Sequence, residues 1–218
     1  MFLKICGTTS LSDAEVCARV LPDALGIIVR HAASPRDVEA AVARAIAGGV
    51  QVPIVAVSVN QSLEALEQIA AELNPLALQL HGDESPALVG ELTARGHTVW
   101  KAISGDAATL LRQARIYTDA GASALVVDAR EVNANGVIYG GTGQLADWAT
   151  ARVLVDEGFR VILAGGLTSE NVARAIEIVR PWGVDVVSGV EARKGAKDAA
   201  KVEAFTGAVR GAANLLQL

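Results

Sequence analysis

One unit repeats along this chain: a short run of β-branched and other apolar residues, then a segment with apolar positions at helical spacing. Successive runs start about 21 to 37 residues apart. The runs that read as strands are Phe2 to Cys6, Ala24 to Val29, Val52 to Val57, Ala77 to His81, Thr98 to Ile103, Ser123 to Asp128, Arg160 to Ala164 and Gly183 to Val187. Most are almost wholly apolar, the pattern of strands buried on both faces, and alternation with helices implies right-handed parallel crossovers. Eight such units in 218 residues predict an α/β fold, an eight-stranded parallel β/α (TIM) barrel. An open doubly wound sheet is the alternative. No Ser/Pro-rich linker, charge block or low-complexity tract divides the chain, so residues 1–218 read as a single barrel domain.

The helical segments carry their own punctuation. Ser34 reads as a cap and Pro35 as a first-turn residue, with Val38, Ala41, Val42, Ala45 and Ile46 as the apolar stripe and Gly48-Gly49 as the stop. Thr168 or Ser169 caps a later helix whose stripe is Val172, Ala175, Ile176 and Val179. At 51% hydrophobic and 20% charged residues the chain has material for a large core, which argues against disorder. The formal charge of −5 and the lack of a long basic run argue against a nucleic-acid partner. No apolar stretch approaches the roughly 18 residues of a membrane span, and MFLKICG is too short for a signal peptide's apolar region. Two thiols, Cys6 and Cys17, without framework or metal spacing point to a reducing, cytoplasmic setting and no metal site.

In a barrel of parallel strands the chemistry sits at the carboxyl ends of the strands. LKICGTTS places Cys6 there, where the thiol fits either a catalytic role or that of a small buried hydrophobe. LVVDA places Asp128 across the mouth, as a proton donor or as a loop cap. Gly165-Gly166 after the seventh strand and Ser188-Gly189 after the eighth let backbone N–H groups approach an anion, and these loops form the usual phosphate site of such barrels. A third glycine loop, Gly140-Gly141-Thr142-Gly143, follows strand six and can close over the same corner.

Together LKICGTTS, LQLHGDES, VVDAR, YGGTGQLADW, LAGGLTSENV and GVDVVSGVE, spanning Leu3 to about Asp198, resemble phosphoribosylanthranilate isomerase of tryptophan biosynthesis. The resemblance implies a cofactor-free barrel, monomeric or homodimeric, that catalyses an Amadori rearrangement of a phosphorylated aminosugar. By resemblance, Asp128 is the general acid that opens the furanose ring and Cys6 the general base that removes the C2 proton. Gly141, Thr142, Gly143, Gly165, Gly166, Ser188 and Gly189 surround the phosphate. Lys4, two residues before Cys6 on one strand, faces the same way, where its ammonium either favours the thiolate or makes an interior ion pair. His81 either lines the pocket or bonds its loop, and Trp148 reads as helix packing.

The family's longer second loop carries a Ser-x-Arg motif whose Arg receives the anthranilate carboxylate. The segment GIIVRHAASPRD is shorter, and that Arg has no evident counterpart in frame. Arg30, directly after the second strand, is the expected replacement; His31 is a further candidate, and Arg36 is assigned to a solvated first helical turn. Val187 and Ala146 stand where the family has a Ser and an aromatic. Two other functions stay open: an aldose–ketose isomerase acting on a related aminosugar, disfavoured in its histidine-pathway form by Cys6 in place of Asp, and a non-catalytic barrel binding a phosphorylated metabolite.

Overall fold

Each predicted strand alternates between two apolar environments, and that alternation builds the architecture. In the computed structural model, which describes residues 1–128, 130–133, 136–139 and 147–217, the strands are β1 (Phe2–Cys6), β2 (Ala24–Val29), β3 (Ile54–Ser58), β4 (Ala77–Leu80), β5 (Val99–Ile103), β6 (Ala124–Val127), β7 (Val161–Leu163) and β8 (Gly183–Val186). Neighbours pair in parallel around the sheet, and β1 pairs with both β8 and β2, which closes a TIM barrel. The helices are α1 (Leu11–Ala18), α2 (Ala40–Gly49), α3 (Leu63–Leu73), α4 (Pro86–Ala94), α5 (Ala107–Asp119), α6 (Trp148–Asp156), α7 (Val172–Val179) and α8 (Ala199–Leu216). An antiparallel pair, residues Arg130–Asn133 and Gly136–Tyr139, rises from the loop after β6.

Leu3, Ile5, Leu25, Ile27, Leu78, Leu80 and their equivalents point outward and meet the helices in the main core. The other face fills the barrel with a smaller cluster that includes Ala24, Val55, Ala77, Trp100, Ala124 and Ile162. Alanines leave room there for Trp100, and Phe2, stacked on Trp182 at 4.6 Å and edge-on to Trp100 at 5.6 Å, fills the amino-terminal end. The opposite end therefore holds the polar groups. Helix starts follow the sequence signals: Ser62, Ser85 and Asp106 each accept a backbone N–H from the first turn of α3, α4 and α5.

The second helix departs from expectation. Ser34 Oγ accepts from the Arg36 N–H, two residues on, which makes a turn and leaves no cap for a helix. Asp37–Val38 then pairs with Ile28 and Val29 as a short extra strand, and α2 begins only at Ala40. Its buried residues are Ala43 and Ile46, while Ala41, Val42 and Ala45 are exposed. For α7 the stripe Val172, Ala175, Ile176 and Val179 is buried as read, although Asn171 precedes the helix and neither Thr168 nor Ser169 caps it directly.

Candidate active site

β1 runs out at Cys6 because Gly7 adopts a left-handed backbone (φ +73°), and a Cβ there would stand 2.8 Å from Arg36 Cδ. Gly26 faces Cys6 across the β1–β2 pair, and a side chain on it would run into the thiol, its Cβ 2.3 Å from Sγ. Glycine at 26 thus reserves the space that the sulfur occupies, a constraint invisible without the barrel's register.

The carboxyl ends of the strands enclose a pocket lined by Cys6, His31, Arg36, Gln79, His81, Asp128, Gly165, Gly166, Asp185 and Ser188, with Ile28, Val57 and Val59 as apolar wall. Asp128 and His81 pair directly, Oδ2 to Nε2 at 3.2 Å, and His81 Nδ1 lies 2.9 Å from the Gln79 amide nitrogen. With Nδ1 accepting from the Gln79 amide, Nε2 carries a hydrogen and donates to the Asp128 carboxylate. Glu84 holds the loop that carries His81: it accepts from the Asn60 and Gly82 N–H groups and pairs with buried Lys101 at 3.1 Å.

Behind Cys6 lies Asp185, an acid not among the candidate residues of the sequence. Lys4, directly across the register from Asp185 on β8, donates to Asp185 Oδ2 at 2.6 Å, and both are buried. The signal existed: GVDVV sets one acid in an otherwise apolar strand, which calls for an interior partner. Burial pushes the Cys6 thiol up, with Lys4 opposing and Asp185 reinforcing. Burial raises Asp185 as well, against the pull of Lys4. For Lys4 burial acts downward, but Asp185 and Cys6 together hold the ammonium above its ordinary value.

A second buried cluster borders the pocket. The Arg36 guanidinium makes a two-pronged contact with Glu191, Nε to Oε1 at 2.7 Å and Nη2 to Oε2 at 2.8 Å. Lys197 Nζ lies 3.7 Å from Glu191 Oε1 and donates to the carbonyls of Cys6, at 2.6 Å, and Val187, at 3.3 Å. Although burial opposes it, the pull of Arg36 and Lys197 keeps the Glu191 carboxyl below its usual range. Burial lowers Lys197 in spite of Glu191.

The corner expected to take a phosphate is formed by the loops after β7 and β8. Gly165 and Gly166 both have positive φ, at 84° and 61°. Asn171 ties this loop to α7, its Nδ2 donating to the Gly166 carbonyl and its Oδ1 accepting from the Thr168 N–H. Ser188 opens a 3₁₀ turn, Ser188–Val190, and Gly189 is packed so closely that a Cβ would lie 2.0 Å from the Leu167 carbonyl oxygen.

Residues 3–208 match the family model for N-(5'-phosphoribosyl)anthranilate (PRA) isomerase. The chain belongs to the phosphoribosylanthranilate isomerase family. A Pseudomonas putida member is 41% identical over 217 residues, covering 96% of this chain and 97% of that one. A Trichlorobacter lovleyi member is 38% identical over 205 residues, covering 93% and 95%. The crystal structure of the Thermotoga maritima isomerase superposes with a TM-score of 0.85 at 33% identity, covering 97% of this chain and 99% of that one. Another isomerase structure of this family, at 31% identity and TM-score 0.81, covers the same shares and was solved with reduced 1-(o-carboxyphenylamino)-1-deoxyribulose 5-phosphate. A further Thermotoga maritima structure, 31% identical with TM-score 0.83 and likewise covering 97% and 99%, is described as monomers generated from a dimeric isomerase.

The second loop holds a Ser-x-Arg sequence, Ser34-Pro35-Arg36. Arg36 is the arginine at the pocket. Arg30 is not: its backbone turns left-handed (φ 56°), which breaks the strand alternation and swings the side chain outside the barrel. There it is exposed and bonds Gln68 on α3 at 3.0 Å. The solvated first-turn assignment of Arg36 fails for the complementary reason, since the Asp37–Val38 strand returns the chain beside β2 and leaves Arg36 buried, 5% exposed, over Gly7. Cys6, His81, Asp128, Gly165, Gly166 and Ser188 all line the pocket, Gly189 packs behind it, and Lys4 lies beneath. Gly141, Thr142 and Gly143 of the expected phosphate loop, and Ala146, lie outside the described residues. Trp148 is half-buried and packs on the main core. No described helix is long and apolar enough to cross a membrane, and no described cluster of His, Cys, Asp or Glu forms a metal site.

Proposed function

We propose that this barrel converts N-(5'-phosphoribosyl)anthranilate to 1-(o-carboxyphenylamino)-1-deoxyribulose 5-phosphate with Asp128 as general acid and Cys6 as general base. The observation that carries the assignment is that a thiol and a carboxyl, on β1 and after β6, line one pocket beside two glycine loops suited to a phosphate. Anchored by its phosphate at Gly165, Gly166 and Ser188, the ribose spans the mouth. Asp128 protonates the ring oxygen, so the furanose opens to a protonated Schiff base. The Cys6 thiolate takes the C2 proton, leaving an enolamine that becomes the ketone. Proton transfers of this kind are each worth about 10² to 10⁴ in rate.

Arg36 faces the anthranilate carboxylate. Glu191 occupies Nε and Nη2, and among the described residues nothing takes the Nη1 donors, which are left for the ligand. The apolar wall of Ile28, Val57 and Val59 suits the ring. Incubating the protein with anthranilate-phosphoribose made in situ and following its fluorescence tests the assignment. Enzyme-dependent loss of signal is expected; no loss, with a phosphorylated aminosugar lacking the aromatic ring turned over instead, would replace the substrate.

A further inference from the structure

The mechanism asks for a thiolate at Cys6, yet burial favours the thiol. Two buried acids, Cys6 and Asp185, share one lysine: Lys4 donates to Asp185 Oδ2 at 2.6 Å and lies two residues before Cys6 on the same face of β1. One ammonium balances one anion in a medium where an unpaired charge is costly. Hence Cys6 and Asp185 hold a single negative charge between them. Asp185 also presents Oδ1, buried and without a hydrogen-bond partner among the described residues, while lining the pocket that Asp128 lines. A carboxylate oxygen in that condition has room for a proton.

We propose that Asp185 is the proton store of this site: through Lys4 it takes the proton of Cys6, leaving the thiolate, and it later restores the proton that Asp128 has spent. This rests on the reading of Cys6 as base and Asp128 as acid. The cycle balances. It starts with Cys6 as thiol, Asp185 as carboxylate and Asp128 as carboxylic acid. Lys4 hands a proton to Asp185 and recovers one from Cys6, so the net charge of Cys6, Lys4 and Asp185 stays zero. Asp128 then gives its proton to the ring oxygen, and the Cys6 thiolate receives the proton from C2. Transfer from Asp185 to the Asp128 carboxylate, across the pocket that both line, returns every group to its starting state. His81, paired to Asp128, faces the same space.

Other charges near the cluster are fixed elsewhere: Lys197 and Arg36 both face Glu191, and Lys197 reaches Cys6 through its backbone carbonyl. They bias the thiol without sharing its proton. The sharing makes a sharp prediction, because moving a proton between two groups of one cluster leaves the proton count unchanged and is independent of pH.

The rate at which methyl methanethiosulfonate modifies Cys6 in the substrate-free wild-type protein should therefore be flat through neutral pH, whereas an isolated thiol gains about tenfold per pH unit. Mass spectrometry of the Cys6 peptide separates this signal from Cys17. Asp185→Asn should replace the plateau by a single titration and lower turnover at least about tenfold, and Asp185→Glu should restore both. A single tenfold-per-unit titration in the wild-type protein would overturn the proposal, as would a plateau surviving in folded Asp185→Asn or unchanged turnover in that variant. The modification profile needs no substrate, so its failure leaves the isomerase assignment standing. Absence of isomerase activity would not disturb the profile.

Discussion

Two buried charge clusters meet at the mouth of this barrel, and they are built to opposite ratios. Cys6, Asp185 and Lys4 set two acids against one cation, whereas Arg36, Lys197 and Glu191 set two cations against one acid. In the first, burial pushes both acids up, so a proton has more than one favourable place to be. In the second, the fork of Arg36 fixes Glu191 as a carboxylate and leaves positive charge over. A surplus of acids suits moving protons. A surplus of cations suits holding an anion. Lys197 joins the two, bonding the Cys6 carbonyl while facing Glu191, so Cys6 and the Arg36–Glu191 pair keep a fixed separation.

The largest effects should come from the first cluster and its partner across the pocket. Cys6→Ala and Asp128→Asn should each lower single-turnover rates by at least about 10² with the far-UV spectrum intact. Gly26→Ala should join them without touching a reactive group, because the new Cβ would displace the Cys6 sulfur, and wild-type turnover in that variant would contradict the packing described. Next in size, Arg36→Lys keeps the charge but loses the fork. It should weaken binding of a product analogue by about 1.5 to 3 kcal/mol, and by much less when the analogue lacks its carboxylate. Equal losses on both analogues would remove Arg36 from the carboxylate site.

Acid should separate the clusters by sign. Glu191 titrates below its ordinary value in the folded protein, so its contribution to stability is present above about pH 4.3 and is lost as pH falls through the lower folded value. Asp185, held up by burial, relaxes on protonation and opposes that loss. Chemical denaturation across the acid range should show a shallower decline for Glu191→Gln than for the wild type, and a decline at least as steep as the wild type for Asp185→Asn. The smallest effect belongs to Arg30→Ala: exposed, and bonded only on the outer surface among the described residues, it should leave KM and kcat unchanged. A raised KM there would reopen the second loop.

Periodicity made a parallel β/α architecture legible, and the count of eight units pointed to the barrel rather than an open doubly wound sheet. Phe2–Cys6 and Ala24–Val29 begin and end as read. Chemistry at strand ends was legible too, since Cys6 and Asp128 are reactive types at the close of apolar runs. The second loop misled for a local reason: Ser34-Pro35 is the signature of a helix start, and the same two residues also make a turn when the following chain pairs with a strand. Arg30 was misplaced because its place directly after the second strand suggested the barrel mouth, whereas the left-handed backbone there turns its side chain away. Asp185, Glu191 and Gly26 depend on contacts between β1, its two neighbouring strands and the turn after β8. GVDVV marks Asp185 as an acid in need of a partner, but such contacts join positions as much as 191 residues apart, and no local pattern names the partner.

The division of labour between the clusters is tested most directly by rates at saturating substrate. Arg36→Lys and Cys6→Ala should be measured side by side by initial rates, with substrate raised until each rate levels off. The account predicts that Arg36→Lys climbs to near the wild-type rate, because only binding was weakened, while Cys6→Ala levels off at least about 10² lower. A Cys6→Ala rate restored by saturation, or an Arg36→Lys rate that saturation leaves equally low, would contradict the assignment of proton transfer to one cluster and binding to the other.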